Sequence, residues 1–203
     1  MVAIITGDLI NSRKIGADIW MQKLKNELKE WGEDGKDWEI YRGDSFQVRI
    51  KAPAQVLYVA LLLKSAIKSI APLDIRMGLG IGNENYSTDR LLENYGSAYI
   101  YSGEVFEELH KQQRIMFRSD SEELNQEINL LLRLGLTIMD NWSVNSARMV
   151  YLAFKNPSKN QTELGVMENI SQNSVSARLT RANYDEIKAL LDYFSDRIAK
   201  FMS

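Results

Sequence analysis

Cysteine is absent from the 203-residue chain, and histidine occurs once, as His110. These gaps exclude disulfides, thiolate metal centres, cysteine nucleophiles and any multi-histidine metal site, and a thiol-free chain suits a reducing compartment. No apolar run is long enough for a membrane: Leu130 to Met139 is about half a span and contains Arg133. The start, Met1-Val2-Ala3-Ile4-Ile5-Thr6-Gly7-Asp8, has no basic lead, and Asp8 ends its apolar run too early for a signal peptide. A cytoplasmic protein with no membrane partner is expected.

What remains is an ordinary globular balance. Hydrophobic residues make up 45% and charged residues 26%, enough for a real core. The length fits one large domain or two small ones.

Val2 to Ile5 is a short apolar run ending at Gly7-Asp8 and reads as a buried strand. Trp20, Leu24, Leu28 and Trp31 recur at helical spacing, and Gly32 and Gly35 mark a stop. Alternating segments around Trp38–Ile40 and Phe46–Ile50 flank Arg42-Gly43-Asp44 and predict a hairpin turning at Gly-Asp. Pro53 opens a helix to about Ala71. The strand Ile75 to Ile81 puts its large residues on one face and Gly78 and Gly80 on the other. Gly78, Gly80 and Gly82 lie within that strand, so they point to close helix–strand approach rather than a dinucleotide fingerprint. A polar loop over 83–89, a helix from Ser97 to Gln112 and a short strand from Ile115 to Phe117 follow. His110 then falls late in that helix as a surface residue, and Thr6, Ser12 and His110 form no Ser-His-Asp constellation.

The order β-α-β-β-α-β-α-β around a central hairpin predicts an α+β fold with a ferredoxin-like sheet and helices on one face. From Ser119 onward every segment reads as helix. The expected division is a palm-like α/β domain over 1–119 and a helical connector with a helix-turn-helix over 120–203. The connector, from about Ser121 to Met139, turns Leu124, Ile128 and Leu131 inward.

Two aspartates stand out. Asp8 ends the first strand and Asp44 sits in the hairpin turn, and a split β-α-β arrangement lets them converge. Two close carboxylates repel unless a proton or cation lies between them, and Mg²⁺ takes one or two carboxylates with water and phosphate completing its shell. Both residues are also ordinary turn formers.

The hairpin Arg42-Gly43-Asp44-Ser45-Phe46, after a strand ending in Asp8, resembles the palm of class III nucleotidyl cyclases and GGDEF domains. Ile75-Arg76-Met77-Gly78-Leu79-Gly80 is similar to the cyclase Arg-x-Gly-Ile strand, and Tyr95-Gly96-Ser97 to its Gly-led segment. Across nearly the whole chain the pattern is similar to the SatD family: Gly7-Asp8, Ser12-Arg13, Arg42 to Gln47, Gly96, Ala98, Ser102 and Gly103. The cyclase resemblance implies Mg²⁺ or Mn²⁺ at Asp8 and Asp44. It implies a nucleotide ligand near Ser12, Arg13, Arg42, Gly43 and Ser45, with Arg13 and Arg42 as phosphate partners. One departure argues against cyclase chemistry. Ile100 and Glu104 fall where the cyclases carry Asn and Arg, and the loss of such electrostatic stabilisation costs orders of magnitude in rate.

In the C-terminal segment, Asn160 caps a short helix with Glu163 three residues on. Asn169, four residues after Gly165, suits a left-handed turn, and Ser171 caps a second helix with Val175 and Leu179 inward. This pattern resembles DNA-binding helix-turn-helix units. The second helix presents Gln172, Asn173, Ser174, Ala177, Arg178 and Arg181 for base-edge and phosphate contacts. Two features favour a packing or dimerisation hairpin instead. Glu168 stands at a usually apolar position, and the segment from 120 on carries 11 acids against 9 bases. The expected function is a DNA-binding regulator, homodimeric and nucleotide-sensing, with no catalytic residue assigned. The alternatives are a nucleotide-processing enzyme using Asp8 and Asp44, or a non-catalytic protein-interaction module.

Overall fold

Strand β1 runs from Val2 to Ile10 and is the middle strand of the sheet. The computed structural model describes residues 1–110 and 113–203. After β1 come α1 (Ala17–Leu28), β2 (Trp38–Tyr41), β3 (Ser45–Ile50), α2 (Val56–Lys68), β4 (Asp74–Gly82), α3 (Ser97–Glu108) and β5 (Ile115–Arg118). The rest is helical: α4 (Glu122–Met139), α5 (Val144–Lys155), α6 (Gln161–Glu168), α7 (Gln172–Arg181) and α8 (Tyr184–Met202). The first eight elements follow the order read from the sequence.

The five strands form one mixed sheet in the order β2-β3-β1-β4-β5. β1 is antiparallel to both neighbours, β2 is antiparallel to β3, and β4–β5 is parallel. Its pairing with β4 continues to Ile10↔Asp74, so β1 does not stop at Gly7-Asp8. Asp8 therefore sits inside a strand, opposite Ser45 on one side and Arg76 on the other. The hairpin turn also differs in detail: the left-handed positions are Arg42 (φ 50°) and Gly43 (φ 94°), so the turn centres on Arg-Gly rather than Gly-Asp.

The strand alternation divides the sheet into two faces. Ala3, Ile5 and Leu9 of β1 and Ile75, Met77, Leu79 and Ile81 of β4 join α1 and α2 in the main core. The opposite face carries Val2, Ile4, Thr6 and Asp8, with Gly78, Gly80 and Gly82. Helix α3 lies there, and the expectation of helices on one face alone is corrected: α3 covers the side opposite α2. The glycines explain why it can lie so close. A Cβ at Gly78 would stand 2.3 Å from the Ser102 carbonyl oxygen, and one at Gly80 equally close to that of Ala98. Thr6 and Ser102 join their hydroxyls across this contact at 3.0 Å. Helix α3 ends at Glu108, leaving exposed His110 beyond it, and the expected end at Gln112 lies outside the described residues.

Residues from both sides of position 120 share the main core. Leu124, Ile128, Leu132 and Leu136 of α4, Val150 and Phe154 of α5, and Phe194 and Ile198 of α8 are buried with the sheet and α2. Phe194 meets Phe117 of β5 edge-on at 5.7 Å. The Tyr58 hydroxyl donates to the Phe154 carbonyl at 3.0 Å. Polar ties reinforce the join. Lys64 of α2 is fully buried and donates to Asp74 at 3.0 Å and to Asp140, at the end of α4, at 2.7 Å. Lys68 and Arg114 also pair with Asp74.

Candidate functional site

The C-terminal end of β1 opens into a groove of about 460 Å³ lined by Asp8, Leu9, Ile10, Arg76 and Arg114. Cross-strand register aims Asp8 and Arg76 at the same face, and the Arg76 guanidinium grips the Asp8 carboxylate as a fork. Arg76 Nε donates to Oδ1 at 2.9 Å and Nη2 donates to Oδ2. Such bidentate pairs combine charge with fixed geometry. The same guanidinium lies 5.4 Å from the Phe106 ring centroid on α3, a cation–π position. The hydrogen bond and charge of Asp8 raise Arg76's already high pKa, with smaller contributions from Glu107 and Asp44.

Asp44 reaches the same end of the sheet. Its carbonyl accepts from the Leu9 backbone N–H at 3.3 Å, and its carboxylate accepts from the buried hydroxyl of Ser12. Asp8, Ser12 and Asp44 are thus brought together. Ser45 sits beside Asp8 across the sheet, and Arg13, Arg42 and Gly43 are exposed on the connections after β1 and between β2 and β3. Tyr41 lies nearby, its hydroxyl pKa raised by burial.

In this arrangement protein donors engage the carboxylates expected to hold a divalent cation. Both oxygens of Asp8 are held by Arg76, and an oxygen of Asp44 is held by Ser12. Among the described residues no group of three or more acids or histidines could hold a metal. At the positions where cyclases differ, Ile100 is exposed, and Glu104 accepts from Arg118 Nη1 at 2.9 Å. The anion at that helix position is therefore tied to β5.

Arg76 and Arg114 were not singled out as site residues from the sequence. The signal was present in Arg76: a lone cation between apolar residues and glycines in a strand needs a partner, since a buried charge is costly unpaired. Its partner is 68 positions away, and only the strand register identifies it.

The second candidate surface is α6–α7. Asn160 caps α6 by accepting from Thr162 and Glu163 backbone N–H groups, while Glu163 reaches back to Asn160 N at 2.7 Å, completing a capping box. Asn169 takes the left-handed conformation (φ 53°, ψ 45°). Ser171 caps α7 through Ser174 N. Val175 and Leu179 are buried, and Val175 packs close to Gly165. Of the predicted outward residues, Gln172, Asn173 and Arg181 are exposed, and Ser174, Ala177 and Arg178 half-buried. The Gln172 amide donates to Gln161 at 2.7 Å, and Ser174 Oγ lies 3.0 Å from Ser171 Oγ. Asn173, Arg178 and Arg181 are the polar members of the set that these local bonds leave unengaged. Glu168 finds a structural reason: it accepts from Arg148 Nε of α5 at 2.6 Å, tying α6 to the helix beneath it. Trp142 Nε1 donates to the Ala182 carbonyl at 2.9 Å, fixing the end of α7.

Fold and surfaces together define a mixed α+β protein whose five-stranded sheet carries a groove lined by Asp8, Arg76 and Arg114 beside Leu9 and Ile10, and whose C-terminal part is all helical. The SatD family model (SatD) matches residues 1–192. The chain therefore belongs to the SatD family. Comparison with curated proteins finds no match.

Proposed function

We propose that this chain is a DNA-binding regulatory protein. In this reading α6 and α7 are a helix-turn-helix, α7 enters a major groove, and the N-terminal part is a ferredoxin-like, cyclase-palm-like sensor. The observation that carries the reading is the α6–α7 unit itself. A capping box, a left-handed Asn169 and two buried anchors hold a second helix whose remaining face is polar and hydrogen-bonding. From Ser171 to Tyr184 that face holds two arginines and no acid, inside a segment that is otherwise acidic. Outside 171–184 the segment holds 11 acids against 7 bases, so α7 is its most favourable face for DNA. One helix makes few contacts, so useful affinity requires a dimer.

The palm assignment draws support from the strand order β4-β1-β3-β2, joined by the α1 and α2 crossovers. The ligand we assign to this end of the sheet is a nucleotide, bound through its phosphates by the exposed Arg13 and Arg42. The metal expected at Asp8 and Asp44 does not enter this reading, because Arg76 takes both oxygens of Asp8 and Ser12 takes one oxygen of Asp44. Nor does turnover: Glu104 stands where a phosphate-binding cation would be required.

Selection from a random-sequence duplex library tests the DNA reading. The protein should enrich a defined sequence, and Arg178→Ala with Arg181→Ala should abolish the enrichment. Each lost phosphate contact should lower the slope of log affinity against log salt by about one. Failure to retain any duplex at low salt refutes the reading and leaves a protein-interaction module.

A further inference from the structure

The start of α2, the end of α5 and one face of α8 border a cavity of about 350 Å³, separate from the groove at the sheet. Phe154 is buried at its base, and half-buried Tyr58 and Tyr184 stand on its sides. Both tyrosine rings are tilted against Phe154, at 5.7 Å and 5.6 Å between centroids. The Tyr58 hydroxyl donates to the Phe154 carbonyl at 3.0 Å, which fixes that ring and leaves the oxygen's lone pairs free to accept. Ala54 and Ala153 also line the cavity, and their short side chains keep it open. The volume lies at the lower end of ligand pockets and suits one small molecule.

The charges at this cavity are two and of opposite sign. Lys188 and Asp192 stand one turn apart on α8 and both border it. Both are exposed, and among the described residues neither enters an ion pair, whereas Arg197 further along the same helix is paired with Glu127. An apolar carboxylate bound here would set its charge against Asp192, and an apolar amine would set its charge against Lys188. A molecule that carries both charges side by side satisfies both residues. Residues one helical turn apart have Cβ atoms about 5–6 Å from each other, close enough for one α-carboxylate and its α-ammonium to be reached together. The space beyond these charges is walled by three aromatic rings, which favour the edge or tilted faces of a fourth.

We infer that this cavity binds a free aromatic α-amino acid as its zwitterion. The ring lies among Tyr58, Phe154 and Tyr184, the carboxylate points to Lys188 and the ammonium to Asp192. An adjoining cleft of about 500 Å³ shares Tyr184 and Lys188 with this cavity and reaches Leu179 and Thr180 of α7. Tyr184 packs against both the main core and the small core beneath α6 and α7. The occupant therefore touches the residue through which α7 rests on the remainder of the chain, and in the DNA-binding reading it is an effector. Only that effect rests on the DNA-binding reading; the binding does not.

Calorimetry on the full chain without DNA tests the site. L-Phenylalanine should bind saturably, one molecule per chain, at concentrations up to about ten millimolar. Phenylpropionate, which lacks the ammonium, and phenethylamine, which lacks the carboxylate, should each bind about tenfold more weakly or worse. Lys188→Met and Asp192→Asn alter exposed side chains, so melting should be unchanged. Lys188→Met should weaken L-phenylalanine about tenfold without weakening phenethylamine, and Asp192→Asn should do the same without weakening phenylpropionate. Absence of saturable L-phenylalanine binding overturns the inference. Equal binding of the three compounds overturns it too, as does L-phenylalanine binding that neither substitution changes. The duplex selection and this titration are independent, so either can fail while the other succeeds.

Discussion

Deleting Asp74 should cost more than deleting Lys64, although the two side chains share one ion pair. The cluster holds three cations, Lys64, Lys68 and Arg114, and two anions, Asp74 and Asp140. Its net charge is +1. Asp74→Ala raises that to +2 and leaves fully buried Lys64 with Asp140 as its only remaining partner. Stranding a buried charge in this way costs about 3–5 kcal/mol. Lys64→Met lowers the net charge to zero. Asp74 still accepts from Lys68 at 2.7 Å, from Arg114 and from the Ile75 backbone at 2.8 Å. Asp140 keeps Arg114 Nε at 3.7 Å. The methionine stem fills most of the lysine's volume, so its cost falls to about 1–3 kcal/mol. Urea unfolding followed by circular dichroism measures both, with an unchanged denaturant slope as the check that the unfolded states are comparable. Acid titration supplies a second readout. Burial alone would raise the Asp74 pKa, but Lys64 and Lys68 outweigh it and hold the group below its ordinary 3.8. A carboxylate depressed in the folded state stabilises above its unfolded pKa, and that share is lost as pH falls through the lowered value. Asp74→Asn should remove this part of the acid sensitivity. Equal costs for Lys64→Met and Asp74→Ala, or a greater cost for the lysine, would refute the reasoning.

Gly78→Ala should destabilise by about 1–3 kcal/mol or more, since its methyl would press on the Ser102 carbonyl, which is helix backbone and cannot rotate away. Thermal melting measures it, and an unchanged melting temperature would mean that α3 is not held against β4. Asn169→Val should cost about 1–2 kcal/mol, because a β-branched residue is strained at φ 53°. Asn169→Gly should be close to neutral, and comparing the two melts isolates the backbone strain from the lost side chain.

The sequence conveyed local features well and distant pairings poorly. Alternation and helical spacing located the eight elements up to β5, because each pattern is complete within one segment. The α6 capping box and the inward Val175 and Leu179 were legible for the same reason. The side of the sheet that α3 covers was not. Glycines at 78, 80 and 82 announce a close approach but not which helix makes it. The fork on Asp8 was hidden because its partner comes from β4. Lys64 was invisible as a buried cation, since it sits in an apolar helix and meets its acids from the start of β4 and the end of α4. The expected convergence of Asp8 and Asp44 at one sheet end was readable from topology, but what each carboxylate would hold was not.

Phe194 and Ile198 belong to α8, yet they help close the face of a sheet whose central strand begins at Val2. On the ribosome, the sheet's apolar side therefore stays partly uncovered until α8 has been made. Small domains that close early can fold as they emerge; this sheet must wait for α8. An incomplete copy that stops before α8 carries that open surface permanently. Such a copy should bind chaperones more readily and be cleaved faster than one that includes α8.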